Sequence, residues 1–172
     1  MQWPGKASRE NFEIDKFIAA YSRLDGSPQL TVVSKGEKPD YVVKEACTGR
    51  EFGVELTAVY SDDRSVPDVH MVDPPDGKAV DIPYDRRELQ AYEGRLISAI
   101  EDKVHKARKG YDKSRPLILS IYLNEYVSIY LGKQELDAMV TRHQALFDQM
   151  APFAEVVFWS QDNLKPYRVR RL

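Results

Sequence analysis

Pro39-Asp40-Tyr41-Val42-Val43 is followed, across a Thr48-Gly49 turn, by Phe52-Gly53-Val54-Glu55-Leu56-Thr57, and these two runs decide the predicted fold. Each run has β-forming residues and one carboxylate, with Asp40 at the start of the first and Glu55 inside the second. A carboxylate in an apolar strand is costly to desolvate unless it is paired or binds a metal. The two runs therefore predict a metal site on two strands that a short turn connects. The alternative is that Asp40 is a turn residue and that Glu55 forms a structural ion pair with an arginine.

Short strands and a helix surround this pair. Strands are predicted over residues 30–34, 41–46 and 52–59, joined by tight turns as an antiparallel meander. A helix precedes them, with Ser8 as its expected N-cap and apolar residues at helical spacing. Gly26-Ser27-Pro28 is expected to end this helix.

The second half of the chain alternates loop, helix and strand. Residues 60–84 are rich in Pro and Asp without periodicity, which predicts a long loop beside the Glu55 strand. Its alternative roles are to gate substrate or to provide a further ligand such as Asp62 or Asp63. Asp85 and Glu88 make a capping-box-like start for a helix that Gly110 ends. The remaining predicted elements are a doubly covered apolar strand over 117–123, a helix over 133–150 and a strand over 156–159.

Length and composition exclude several protein classes. A chain of 172 residues fits one domain, residues 1–172, and has no apolar run of the roughly 18 residues that a membrane helix needs. The single Cys47 excludes an internal disulfide and a cysteine-based zinc site. No glycine-rich phosphate loop is present. Together with an N-terminus that lacks a signal-like apolar region, these features predict a cytoplasmic protein without a membrane partner.

Charge is distributed unevenly. The formal net charge is −2, yet basic residues gather over 103–115 and at the C-terminus, while acidic residues crowd 62–81. Local basic patches attract phosphates even on a slightly acidic chain. The alternative is that both regions are solvated surfaces without a charged partner.

The predicted order of elements, with Pro39-Asp40 opening the second strand and Glu55 in the third, resembles the PD-(D/E)XK nuclease superfamily. This is the fold of many restriction endonucleases and Holliday-junction resolvases. The resemblance covers about residues 8–123, and residues 124–172 would be a C-terminal elaboration of one helix and one strand. It implies an α/β fold with a restriction endonuclease-like αβββαβ core, in which helices flank a mixed central sheet.

The resemblance also implies a metal chemistry. Asp40 and Glu55 would bind one or two Mg²⁺ (or Mn²⁺) ions, and a Lys two positions after the Glu would assist the attacking water. Mg²⁺ prefers oxygen ligands, polarises the scissile phosphate and lowers the pKa of a bound water. Thr57 stands where the lysine is expected. A threonine hydroxyl can orient water, but it does not stabilise developing negative charge as an ammonium does.

Lys103 is the candidate to replace the missing lysine. It lies among Leu96, Ile100 and Ala107 at helical spacing, which predicts that it faces the sheet more than solvent. Some divergent families of the superfamily carry their lysine on this helix. The alternative is that Lys103 snorkels at the border of the apolar face.

Many members of the superfamily also carry a glutamate on the first helix that reaches the metal. Glu13 is the candidate here because it adjoins Ile14 and Phe17 at the edge of the apolar stripe. Glu10, one turn earlier, is the alternative. Ordinary surface charge remains the other interpretation of either residue.

The sequence thus predicts a Mg²⁺-dependent endonuclease that acts on DNA, with RNA as an open alternative substrate. Lys106, Lys109, Arg168 and Arg170 are expected to contact phosphates, or else to be solvated charges. A homodimer is compatible with cutting both strands of a duplex. The alternative function, favoured by Thr57, is a catalytically inactive module of the same fold that binds nucleic acid or another protein.

Overall fold

Six strands form one mixed sheet, in which strands that follow each other along the chain lie side by side. The computed structural model describes residues 6–60, 86–123, 128–161 and 165–171. The strands are β1 (Leu30–Lys35), β2 (Tyr41–Glu45), β3 (Glu51–Val59), β4 (Leu117–Leu123), β5 (Phe153–Trp159) and β6 (Tyr167–Arg170). The pairs β1–β2, β2–β3 and β5–β6 are antiparallel, whereas β3–β4 and β4–β5 are parallel. The predicted α/β class, the mixed sheet and the antiparallel meander are confirmed.

Helices cover both faces of this sheet. They are α1 (Lys6–Tyr21), α2 (Arg86–Gly110), α3 (Lys133–Arg142) and α4 (Gln144–Asp148). The core under α1 includes Ile14, Phe17, Tyr21, Val54, Leu56, Ile118, Tyr122 and Trp159. The core under α2, α3 and α4 includes Leu96, Ile100, Val104, Leu119, Ile121, Leu136, Phe147 and Phe158. Successive residues of β4 alternate between the two cores, and all seven are buried, as predicted for a central strand.

Three sequence-based boundaries are wrong. Ser8 is not an N-cap, because α1 already includes Lys6, which forms an ion pair with Glu10 at 3.4 Å. The helix predicted over residues 133–150 is interrupted at His143 (φ −113°, ψ 28°), whose Nε2 lies 3.1 Å from Glu93 Oε1 of α2. The strand predicted over 156–159 begins at Phe153.

The C-terminal residues also differ from the prediction of a charged tail. Tyr167–Arg170 forms β6, which pairs with β5 along the edge of the sheet. The strand forms because Tyr167 and Val169 pack onto the α2-side core, while Arg168 and Arg170 lie near Glu155 on β5. The sheet therefore has one more strand than predicted.

Some predictions fall on other parts of the chain. The loop ligands Asp62 and Asp63 and the helix cap Asp85 lie outside the described residues. Within the described residues, no helix is both long enough and apolar enough to cross a membrane.

Candidate active site

The candidate site lies where β3 extends past β2. Tyr41, the first residue of β2, is paired with Val54, so the part of β3 that follows Val54 has no β2 residue beside it. A cleft of about 200 Å³ opens at this edge. It is bordered by α1, α2 and the start of β2. The predicted site residues that line it are Glu10, Glu13, Asp40 and Lys103, together with Lys6 and Arg9.

Asp40 is positioned by a contact between Pro39 and Gly53. A Cβ atom at Gly53 would lie 2.6 Å from Pro39 Cγ and 2.6 Å from Leu117 Cδ2, so only glycine leaves room for the proline ring here. Asp40 follows this ring, and its Oδ2 accepts a hydrogen bond of 2.9 Å from the Leu56 backbone N–H. The Asp40 side chain thus bonds to an amide on the part of β3 that β2 does not reach.

Glu55 is the most enclosed acidic residue of the site, with 3% of its surface exposed. Its Oε1 accepts two hydrogen bonds, from Lys103 Nζ at 2.6 Å and from the Tyr111 hydroxyl at 2.6 Å. Its Oε2 is buried and has no hydrogen-bond partner among the described residues. A buried carboxylate oxygen without a donor is costly, so Oε2 is the oxygen of Glu55 that is left without a compensating contact.

Lys103 faces the sheet, as its helical spacing predicts. Its side chain is 22% exposed, and it reaches Glu55 across the space between α2 and β3. Thr57, two residues after Glu55 on the same face of β3, has a buried hydroxyl that bonds to none of the described residues. Lys103 of α2 therefore brings a positive charge to the face of β3 that carries Glu55 and Thr57. The catalytic roles of Lys103 and Thr57 remain predictions.

Tyr111, like Lys6 and Arg9, is a site residue that sequence reasoning missed. It continues the buried spacing of α2 through Ile100, Val104 and Ala107, one position beyond the end of the helix. That spacing is the signal that would have identified it as inward-facing. Burial, and then its hydrogen bond to Glu55, raise the pKa of Tyr111, so the hydroxyl remains a donor at neutral pH.

The two candidate glutamates of α1 differ in their surroundings. Glu10 lies 2.8 Å from Lys35 Nζ, and the hydrogen bond from this lysine lowers the pKa of Glu10. Glu13 is only 8% exposed, and burial raises the pKa of Glu13 to about 7, with a further contribution from the negative charge of Asp40. The Glu10 carboxylate is thus ion-paired with Lys6 and Lys35, whereas Glu13 is a desolvated carboxyl in the cleft.

Asp40 is perturbed in the same direction as Glu13. Burial raises the pKa of Asp40 to about 6, and repulsion from Glu55 adds to this effect. The cleft therefore gathers acidic groups whose charges oppose one another, beside the positive charges of Arg9 and Lys103. A bound cation relieves this kind of repulsion.

The donor set fits a magnesium ion that uses few protein ligands. Within the described ranges, no group of three or more Asp, Glu, His or Cys side chains is arranged to hold a metal ion. Mg²⁺ is commonly bound by one or two carboxylates and otherwise by water and substrate phosphate. Asp40, which lines the cleft, offers carboxylate oxygens of this kind, and so does Glu55, which bonds to the cleft residue Lys103 without lining the cleft itself. Glu13 lines the same cleft, but it is not grouped with the other two carboxylates as a third ligand among the described residues.

The structure does not bring the four predicted phosphate contacts to the cleft. Lys106 is exposed and pairs with Asp102 at 2.6 Å, and Lys109 is exposed near the end of α2. Arg168 and Arg170 lie on β6, three strands away from β3. Arg170 Nε lies 3.2 Å from Glu155 Oε1, and Arg168 donates a hydrogen bond to Ser27 Oγ at 2.7 Å.

No protein-family model, no curated protein and no solved structure matches the chain.

Proposed function

We propose that the protein is a Mg²⁺-dependent nuclease with a divergent PD-(D/E)XK-like core. One observation carries the proposal: Lys103 Nζ lies 2.6 Å from Glu55 Oε1 and lines the same cleft as Asp40. This arrangement gathers the two carboxylates and the lysine that the resemblance calls for, although the lysine comes from α2. The desolvation of Asp40 and Glu13 supports the same conclusion, because perturbed carboxyls concentrate at functional sites.

Each side chain has a role in this proposal. Asp40 and Glu55 Oε2 hold the metal, which when bound would polarise the scissile phosphate and acidify a bound water. Lys103 provides positive charge beside the phosphate, and the Thr57 hydroxyl orients a water molecule. Glu13, with a pKa of about 7, exchanges a proton readily at neutral pH.

The proposed substrate is DNA, with RNA as the alternative. Lys6 and Arg9 line the cleft beside its carboxylates and provide positive charge for a nucleic-acid backbone. Arg9 also has a buried Nε atom that bonds to none of the residues the structure describes. We also propose a homodimer, because two copies of the site would act on the two strands of a duplex.

A second candidate is a catalytically inactive binding module of the same fold. Two observations favour it: Thr57 replaces the strand lysine, and Lys103 already bonds to one oxygen of Glu55. In this case Lys103 and Tyr111 would neutralise a buried glutamate and hold α2 against β3. Such a module binds nucleic acid or protein without cleaving a phosphodiester bond.

A cleavage assay separates the two candidates. The protein is incubated with Mg²⁺ or Mn²⁺ and duplex, single-stranded or branched DNA, or RNA. The same assay is run with Asp40→Asn, Glu55→Gln and the control Asp137→Asn, whose carboxylate accepts a Tyr167 hydrogen bond far from the cleft. The nuclease proposal predicts cleavage that the first two substitutions abolish and the control preserves. Cleavage that survives both site substitutions contradicts the site, and no cleavage of any substrate favours the binding module.

A further inference from the structure

A second cavity lies beside the C-terminal half of α1. It has a volume of about 230 Å³ and is lined by Lys16, Ala19, Ala20, Arg23, Ser160 and Gln161. At about 30 Å³ for each water molecule, this volume has room for a phosphate group with some of its hydration.

Ser160, which follows the last residue of β5, is unusual in this cavity. The residue is 0% exposed, and its Oγ bonds to none of the described residues. Buried hydroxyls are almost always satisfied by a protein group, an ordered water or a ligand. Ser160 is therefore a polar group that needs a partner, and it borders a cavity that can hold one.

The charged residues of this cavity favour an anion. Arg23 uses one nitrogen, Nη2, in a long hydrogen bond of 3.4 Å to the Ser160 carbonyl oxygen, so other guanidinium donors remain for a ligand. Lys16 is exposed, its Nζ lies 5.6 Å from the centroid of the Phe12 ring, and it forms no ion pair within the part of the chain that the structure describes. Asp25, the acidic residue nearest to Arg23 along the chain, is paired with Lys165 at 3.2 Å.

Helix α1 connects this cavity to the candidate active site. Lys6, Arg9 and Glu13 line the cleft, and Lys16 and Ala20 line the second cavity. Consecutive members of this series are three or four residues apart, so all five lie on one side of α1. Arg9 and Lys16 are seven residues apart, which is about 10 Å along the helix axis. One strand of a few nucleotides can span that distance.

We propose that the second cavity binds a backbone phosphate of the nucleic-acid strand whose scissile phosphate enters the cleft. Lys16 and Arg23 provide the charge, and the Ser160 hydroxyl donates a hydrogen bond to a phosphate oxygen. The inference rests on the proposed function, because it takes the cleft as the place where the same strand is cut. Phosphate contacts of this type orient a strand without reading its sequence.

The test is equilibrium binding of a labelled single-stranded DNA of about 12 nucleotides, long enough to span both cavities. Anisotropy is measured in EDTA over a series of salt concentrations. Each phosphate contact on a single strand contributes about 0.7 to the slope of log affinity against log salt. Lys16→Ala with Arg23→Ala removes the contact with one phosphate, so it should lower the affinity about tenfold or more and reduce the slope by about 0.7.

Two further variants make the result specific. Lys133→Ala with Arg142→Ala removes the same charge from α3, on the opposite side of the sheet, and should leave the slope unchanged. Ser160→Ala removes an unpartnered hydroxyl, so it should weaken binding about fivefold without changing the slope and without lowering the thermal midpoint. An equal change of slope in the α3 control, or full affinity in Ser160→Ala, overturns the inference.

The same measurements separate this inference from the proposed function. Binding in EDTA does not depend on cleavage, so a Lys16/Arg23-dependent slope without any cleavage supports the second site and contradicts the nuclease. Cleavage with an unchanged slope supports the nuclease and overturns the second site. Inorganic phosphate is tested alone by thermal shift. If it stabilises the protein through Lys16 and Arg23 while the oligonucleotide does not bind, the site takes free phosphate and the inference is wrong.

Discussion

Tyr111 donates its hydrogen bond to the same oxygen of Glu55 that accepts from Lys103, at 2.6 Å. Oε1 is therefore satisfied twice, and the buried Oε2 has no donor among the residues described. The two oxygens of the Glu55 carboxylate therefore have different surroundings, and only Oε2 is left for a metal or a proton. Tyr111 thus acts as a positioning residue for the candidate site.

Tyr111→Phe is expected to weaken Mg²⁺ binding and to lower the free energy of unfolding by about 1.5–3 kcal/mol, because a hydrogen bond to a charged acceptor is lost. Urea denaturation with and without Mg²⁺ measures both effects. Tyr167→Phe is the matched control, since that hydroxyl also donates to a carboxylate, Asp137, at 2.6 Å. The control should lose similar stability without losing Mg²⁺ affinity. Equal Mg²⁺ affinity in the two variants would show that Tyr111 has only a structural role.

Lys103→Met is expected to reduce cleavage by at least about 100-fold, because it removes the positive charge beside the phosphate while preserving side-chain length. It should also lower stability by about 1–3 kcal/mol, since Glu55 loses a charged donor. Lys133→Met is the control: it removes an exposed i, i+4 pair with Asp137 and should change stability by less than about 1 kcal/mol. Initial cleavage rates and urea midpoints check the prediction, and a Lys103→Met rate within about twofold of the unchanged protein contradicts it.

The stability of the protein should rise as the pH falls from about 8 towards 5. Burial raises the pKa of Glu13 from 4.5 to about 7, so between these values the folded state binds more protons than the unfolded state. The slope of unfolding free energy against pH is then negative. At high pH, ionised Glu13 lowers the free energy of unfolding by on the order of 3 kcal/mol. Asp40, whose pKa is raised from 3.8 to about 6, contributes in the same direction.

Glu13→Gln tests this pH dependence, because the amide carries no titrating proton. The variant should be more stable than the unchanged protein at about pH 8 and should show a flatter profile. Glu10→Gln is the control. The pKa of Glu10 is lowered by Lys35, so its loss should not raise stability at high pH. Identical pH profiles for Glu13→Gln and the unchanged protein would falsify the assignment of Glu13 as a desolvated acid.

Gly53→Ala is expected to destabilise the protein by about 1–3 kcal/mol and to reduce activity, because the new Cβ would displace Pro39 and the adjoining Asp40. Gly94→Ala, in the exposed part of α2, is the opposite case. Its Cβ would meet no atom within 4 Å, and alanine should stabilise the helix by up to about 1 kcal/mol. Thermal midpoints and cleavage rates are compared for the two variants. A Gly53→Ala protein with unchanged activity contradicts the role of the Pro39 contact.

Local patterns were sufficient for much of the fold. The apolar run of β4 predicts a strand covered on both faces, and both cores indeed contain β4 residues. The spacing of Leu96, Ile100 and Ala107 predicts an inward-facing Lys103, and Gly110 ends α2 as predicted. These features depend on residues close together in sequence, which is why periodicity detects them.

The remaining features depend on distant partners. The break at His143 coincides with a contact to Glu93, fifty residues earlier, and β6 exists only by pairing with β5. In the site, no spacing indicates that Lys103 and Tyr111 share one oxygen of Glu55. The same is true of the Pro39–Gly53 contact, which requires the register of β2 against β3.

The hydrogen bond from Leu56 N–H to Asp40 has a consequence for self-association. An unpaired strand edge is a template on which a second chain can add a strand and start aggregation. By occupying this amide, the Asp40 carboxylate blocks strand addition at the open end of β3. Removing the side chain with Asp40→Ala would expose the edge, whereas asparagine keeps an acceptor there. The same residue thus serves the proposed chemistry and occupies a backbone donor that β2 leaves unpaired.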